Sequence, residues 1–199
     1  MTKIKICGLK SEQDVEYVNA CKPDYIGFVF LEGRKRYVSP AQAKRLREQL
    51  DSDILAVGVF VDAPVEQVIQ LLEDDVIQIA QLHGNETQEY VARIRAHSDK
   101  PIIKAFVVRS KEDAARAMEF PCDYLLLDGG LGQGETFDWS LIQDVRRPFF
   151  LAGGLDTANV RSAMQATMPY AVDVSSGVET DGKKDFEKIK TFIQTVRQE

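Results

Sequence analysis

Tyr124-Leu125-Leu126-Leu127-Asp128-Gly129-Gly130 is a run of four non-polar positions closed by a carboxylate and two glycines. So short an apolar run, without polar alternation, reads as a strand buried on both faces, as in a parallel sheet covered by helices. Placed near 122 to 128, it is one of eight such runs rich in Ile, Val, Leu and Phe. The others lie near residues 3 to 7, 24 to 30, 54 to 60, 76 to 82, 101 to 107, 148 to 152 and 170 to 175. The amphipathic stretches between them carry helix-start signals: Ser11 with Asp14, Ser39 before Pro40, Pro64 with Glu66, Asn85 before Glu86, Ser110 before Glu112, Asp138, Asp156, and the charged run from Lys183. Eight strands alternating with eight helices predict an α/β fold: a single-domain (β/α)8 (TIM) barrel with a closed parallel sheet over residues 1–199. An open doubly wound sheet is the alternative. The helix near 111 to 119 is expected to be the shortest.

The totals limit the function. A net charge of -6 provides no basic stripe, which excludes nucleic acid and an anionic membrane surface as partners but allows a small anion held by local groups. No apolar stretch has the length of a signal peptide or a membrane span, so a cytoplasmic protein is expected. Cys7, Cys21 and Cys122 are odd in number and widely spaced, which argues against a disulfide framework. With only His83 and His97, and no Cys-x-x-Cys or His-x-x-x-His pair, neither a metal site nor a cofactor is expected.

In a parallel barrel the loops leaving the carboxyl ends of the strands supply the active site. Strand ends here carry Cys7, Asp62, His83, Asp128, Gly153-Gly154 and Ser175-Ser176-Gly177, with Arg36 in the second loop. Cys7, followed by Gly8, is either a small core residue or a thiol at the barrel mouth; a nearby cation would lower its pKa and yield a thiolate base. Asp128, at the end of an apolar run, is expected to be partly desolvated and to hold a proton as a general acid, or else to cap its own loop. Gly153-Gly154 and Ser175-Ser176-Gly177 follow strands seven and eight, where such barrels bind phosphate through backbone N–H groups.

Arg36, in Arg34-Lys35-Arg36, is either a solvated charge or a clamp for a substrate carboxylate. His83 can touch substrate or order its loop. Lys104 is open to Schiff-base formation or to balancing a carboxylate. Cys21 and Cys122 are assigned to core or surface, and Trp139 to packing below the helix that Asp138 opens. Gly129 to Gly134 is not a dinucleotide fingerprint, because position 135 is Glu, and Lys184 stands where a phosphate-binding Gly-x-x-x-x-Gly-Lys loop needs a hydroxyl.

Lys-Ile-Cys-Gly at 5 to 8, Gly-Phe-Val-Phe at 27 to 30, Lys-Arg-Tyr-Val-Ser-Pro at 35 to 40, Gly-Val-Phe-Val at 58 to 61 and Gln-Leu-His-Gly at 81 to 84 closely resemble the phosphoribosylanthranilate isomerase family of tryptophan biosynthesis. Leu-Leu-Asp at 126 to 128, Phe-Asp-Trp at 137 to 139, Ala-Gly-Gly-Leu at 152 to 155 and Asp-Val-Ser-Ser-Gly-Val-Glu at 173 to 179 continue the match in order. Arg34, Lys10 and a short loop after Asp128 depart from the pattern. The resemblance implies an Amadori rearrangement of N-(5-phosphoribosyl)anthranilate with Asp128 as acid and Cys7 as base. It further implies that Arg36 meets the anthranilate carboxylate and that Gly154, Ser176 and their neighbours hold the phosphate. The partner is then a phosphorylated small molecule, and the protein a monomer or homodimer. Two rivals keep the barrel: a Schiff-base lyase or aldolase using Lys104, and a non-catalytic phosphate-ligand-binding module.

Overall fold

A computed structural model describes residues 1–129 and 137–198. Eight parallel strands close on themselves in sequence order: β1 (Lys3–Cys7), β2 (Tyr25–Val29), β3 (Leu55–Phe60), β4 (Ile79–Leu82), β5 (Ile102–Val107), β6 (Tyr124–Asp128), β7 (Phe149–Leu151) and β8 (Ala171–Val174). The expected closed (β/α)8 barrel is what forms, and the open-sheet alternative is excluded by the pairing of β1 with both β2 and β8.

Strand alternation sorts the side chains into two cores. Ile4 and Ile6 of β1 join the large outer core between barrel and helices. A smaller cluster containing Val57, Ile103, Leu126 and Phe150 fills the barrel interior. Lys5 and Cys7 alternate with Ile4 and Ile6 and therefore face inward, which puts an ammonium one layer below the thiol.

The helices on the outside are α1 (Glu12–Cys21), α2 (Pro40–Gln49), α3 (Val65–Glu73), α4 (Gln88–Arg95), α5 (Lys111–Met118), α6 (Val160–Thr167) and α7 (Phe186–Arg197). Ser11 and Asp14 form a reciprocal capping box on α1, and Ser39 caps α2 with Pro40 at its first turn. Three expected starts shift. Thr87, not Asn85, caps α4, because Asn85 is bonded to Asp62. Asp156 accepts from the N–H groups of Ala158 and Asn159 in the turn before α6. Asp185 caps α7.

The expected eight helices become seven α-helices among the described residues. Asp138 opens only a 3-10 turn, Trp139–Ile142, since the few residues before Pro148 must also return the chain to β7. That segment, rather than α5, is the shortest; α5 has eight residues, as do α4 and α6. Trp139 packs against the outer core as expected. Most of the loop Gly129 to Gly134 lies outside the described residues.

Candidate active site

Because all eight strands run the same way, Cys7, His83, Asp128, Gly153-Gly154 and Ser175-Ser176-Gly177 share one rim. Arg36 reaches it from the loop after β2. Gly8 has φ +85, and a Cβ there would lie 2.4 Å from Arg36 Cδ, so the arginine stem crosses directly over the first loop. Gly27, the partner of Cys7 in β2, leaves room for the thiol: a Cβ on it would be 2.7 Å from Sγ. The Ser175 hydroxyl donates to the Cys7 carbonyl at 3.1 Å, tying the eighth loop to the first.

Beneath the rim the barrel interior is charged. Lys5 Nζ, fully buried, donates to Asp173 Oδ2 at 2.7 Å and to Gln81 Oε1 at 2.6 Å, reaching across from β1 to β8 and β4. The Gln81 amide meets His83 Nδ1 at 3.0 Å, and His83 Nε2 lies 3.7 Å from Asp128 Oδ2. A continuous polar line thus runs from below Cys7 to the carboxyl at the end of β6. Burial pushes the His83 pKa down, with Asp128 opposing. Burial also pushes the Cys7 thiol up, while the charges of Lys5 and Lys184 pull the other way. The cations that the sequence reading called for are present, but desolvation outweighs them and the thiol pKa is raised rather than lowered. Burial works against the Lys5 charge, yet Asp173 raises its pKa overall.

Arg36 is not a solvated charge. Its Nε and Nη2 donate to the two oxygens of Glu179 at 2.7 and 2.9 Å. Glu179 opens β9 (Glu179–Thr180), which pairs with β10 (Lys183–Lys184) in a hairpin after a 3-10 turn at Ser176–Val178. Lys184 Nζ donates to Glu179 Oε1 and to the Ser175 carbonyl, both at 2.9 Å. Burial would raise the Glu179 pKa, but Arg36 and Lys184 hold it down at about 2. Lys184 thus serves an ion pair in a hairpin, consistent with the missing nucleotide loop.

Gly153 and Gly154 have φ +89 and +63, backbone that glycine adopts readily. Gly177 is pressed against the seventh loop so closely that a Cβ would lie 2.0 Å from the Leu155 carbonyl oxygen. The two glycine-bearing loops are therefore packed together. Lys104 donates to the Gly84 carbonyl at 2.7 Å and to Glu86 Oε2 at 3.2 Å, with both side chains almost fully buried. Of its two readings, the balanced carboxylate is the one observed. Asp62 accepts from the Asn85 N–H at 2.6 Å and orders that loop.

Sequence reasoning gave Lys5, Gln81, Asp173 and Glu179 no role of their own, and named Lys184 only as a mismatch to a nucleotide loop. A signal existed for two of them, because Ile4-Lys5-Ile6 and Val172-Asp173-Val174 each put a charge at an inward position of an apolar strand. Nothing in the sequence pairs Glu179 with Arg36.

The sequence matches the family profile for N-(5'phosphoribosyl)anthranilate (PRA) isomerase over residues 4–195. The chain belongs to the PRA isomerase family. An N-(5'-phosphoribosyl)anthranilate isomerase of Endomicrobium trichonymphae is 46% identical over 202 residues, covering 99% of each chain. Among solved structures, the PRA isomerase of Thermotoga maritima is 40% identical with a TM-score of 0.88, covering 100% of both chains. A PRA isomerase in complex with reduced 1-(o-carboxyphenylamino)-1-deoxyribulose 5-phosphate is 38% identical with a TM-score of 0.89, again over 100% of both chains.

Proposed function

We propose that this chain isomerises N-(5'-phosphoribosyl)anthranilate to 1-(2-carboxyphenylamino)-1-deoxyribulose 5-phosphate, a step of tryptophan biosynthesis, by acid-base catalysis without a cofactor. The observation that carries the assignment is the common rim of Cys7 and Asp128, linked below the surface through Lys5, Gln81 and His83. Asp128 gives its proton to the furanose ring oxygen as the C1–O bond breaks and the anthranilate nitrogen pair forms the C1=N bond. Cys7, as thiolate, then takes the C2 proton. The C–H electrons form C1=C2, the nitrogen recovers its pair, and the enolamine tautomerises to the ketose. One carbon is reduced as its neighbour is oxidised, so no external redox partner enters.

The two charged neighbours give the thiol a route to its base form. The Cys7 thiol loses its proton to solvent while the rim is open, and the charges of Lys5 and Lys184 favour the thiolate so formed. Glu179 holds the Nε and Nη2 edge of Arg36 and orients the Nη1 edge for the anthranilate carboxylate. Gly153, Gly154, Ser175, Ser176 and Gly177 hold the phosphate through main-chain donors. Binding at both ends fixes the pentose between acid and base. The reading extends to a single domain over 1–199 acting in the cytoplasm as a monomer or homodimer. No helix among the described residues is long and apolar enough to cross a membrane.

Incubation with N-(5'-phosphoribosyl)anthranilate, followed by loss of anthranilate-type fluorescence, tests the assignment. Turnover without borohydride-trappable adduct supports it; trapping at Lys104 would favour the lyase, although the ion pair with Glu86 already opposes that chemistry.

A further inference from the structure

Resting on the isomerase reading above, we infer that Lys5 and Gln81 are positioning residues that lock His83 in its Nε2–H tautomer, so that the imidazole presents an N–H rather than a lone pair toward Asp128. The assignment follows from donor and acceptor inventory. An ammonium has no acceptor, so the Gln81 atom 2.6 Å from Lys5 Nζ must be the amide oxygen. The amide nitrogen is thereby turned to His83 Nδ1, 3.0 Å away. An amide NH2 offers only hydrogens in this contact, so Nδ1 must accept, and the one proton of a neutral imidazole goes to Nε2. Nε2 is the atom facing Asp128 Oδ2 at 3.7 Å. Asp173 keeps Lys5 in place from the far side, at 2.7 Å.

The charged groups acting on His83 come from four strands: Asp128 on β6, Lys5 on β1, Asp173 on β8 and Lys104 on β5. Burial is the largest influence and favours the neutral ring. In the opposite tautomer the Nε2 lone pair would point at Asp128 and compete for the proton that the acid must deliver to the ring oxygen. The Lys5–Gln81 pair removes that competition. It also connects the two ends of the reaction, since the same ammonium acts electrostatically on Cys7.

The experiment is 15N–1H NMR of the imidazole nitrogens in the whole protein, which has only His83 and His97. Exposed His97 serves as an internal reference. In the wild type at neutral pH, His83 is expected as the Nε2–H tautomer; an Nδ1–H or doubly protonated ring would overturn the inference. This measurement needs no variant and no turnover. Gln81→Leu should release the tautomer into a mixture, and a ring still locked as Nε2–H would show that Gln81 does not set it. Gln81→Glu should reverse the tautomer and lower kcat roughly tenfold or more, with KM changed less than about threefold. A rise in KM alone would make Gln81 a binding residue instead. Absence of wild-type turnover would sink the isomerase reading while leaving the tautomer result standing; turnover with the wrong tautomer would sink only this inference.

Discussion

Two lysines are buried in the strands of this barrel, and they have opposite kinds of neighbour. Lys104 on β5 is held by Glu86 and by the Gly84 carbonyl, both in the fourth loop, where Glu86 also accepts from the N–H groups of Asp62 and Gly84. Lys5 on β1 is held by Asp173 and Gln81, and through them lies beside Cys7 and His83. A buried ammonium alone therefore identifies nothing. What separates the two, on the proposed reading, is that Lys5 is linked through Gln81 and His83 to the rim that carries Cys7 and Asp128.

Substitutions around the two lysines should diverge accordingly. The largest effect is expected at the groups that Lys5 serves: Cys7→Ala and Asp128→Ala should each lower kcat by about two to four orders of magnitude while leaving the thermal transition near the wild type's. Steady-state kinetics beside a melting curve checks this. Lys104→Met should do the reverse. Leaving Glu86 buried without its ammonium should cost about 3 kcal/mol of stability in denaturant unfolding, with kcat of the folded fraction retained. If Lys104→Met abolished turnover in a folded protein, the contrast between the lysines would collapse.

Arg36→Ala comes next: on the proposed reading it removes a contact made equally to bound substrate and transition state, so KM should rise about tenfold or more with a smaller change in kcat. Equal loss in kcat would move Arg36 to the chemical step. The smallest effect is a pH dependence on the Arg36 side. Glu179 has its pKa lowered from an ordinary value near 4.5 to about 2, so its contribution to stability is fully present above 4.5 and is lost as pH falls toward 2. Glu179→Gln should flatten unfolding curves across that acidic window and leave those near neutrality almost unchanged in slope. A variant with wild-type pH dependence there would show that the Arg36–Glu179 pair carries no linkage.

The barrel itself was legible because strand identity rests on local composition. Runs such as Tyr124 to Leu127 are too short for helices and too apolar for exposed strands, and they lead into Asp or Gly at the rim. The helix expected after Asp138 failed because an N-cap signal cannot report how much chain remains before the next strand. That Cys7, His83 and Asp128 stand at strand ends on one rim followed from topology. Their electrostatic state did not, since the Cys7 thiol depends on desolvation set by packing. Glu179 was illegible for a different reason: its partner Arg36 lies 143 positions away, and only loop packing brings the two together.

The most direct test of the acid-base account is the rate at which Cys7→Ala, confirmed folded, converts N-(5'-phosphoribosyl)anthranilate beside wild type and Lys104→Met under the same conditions. The account predicts rapid loss of fluorescence for wild type and for Lys104→Met, and almost none for Cys7→Ala. Wild-type conversion by the protein lacking the Cys7 thiol would contradict it.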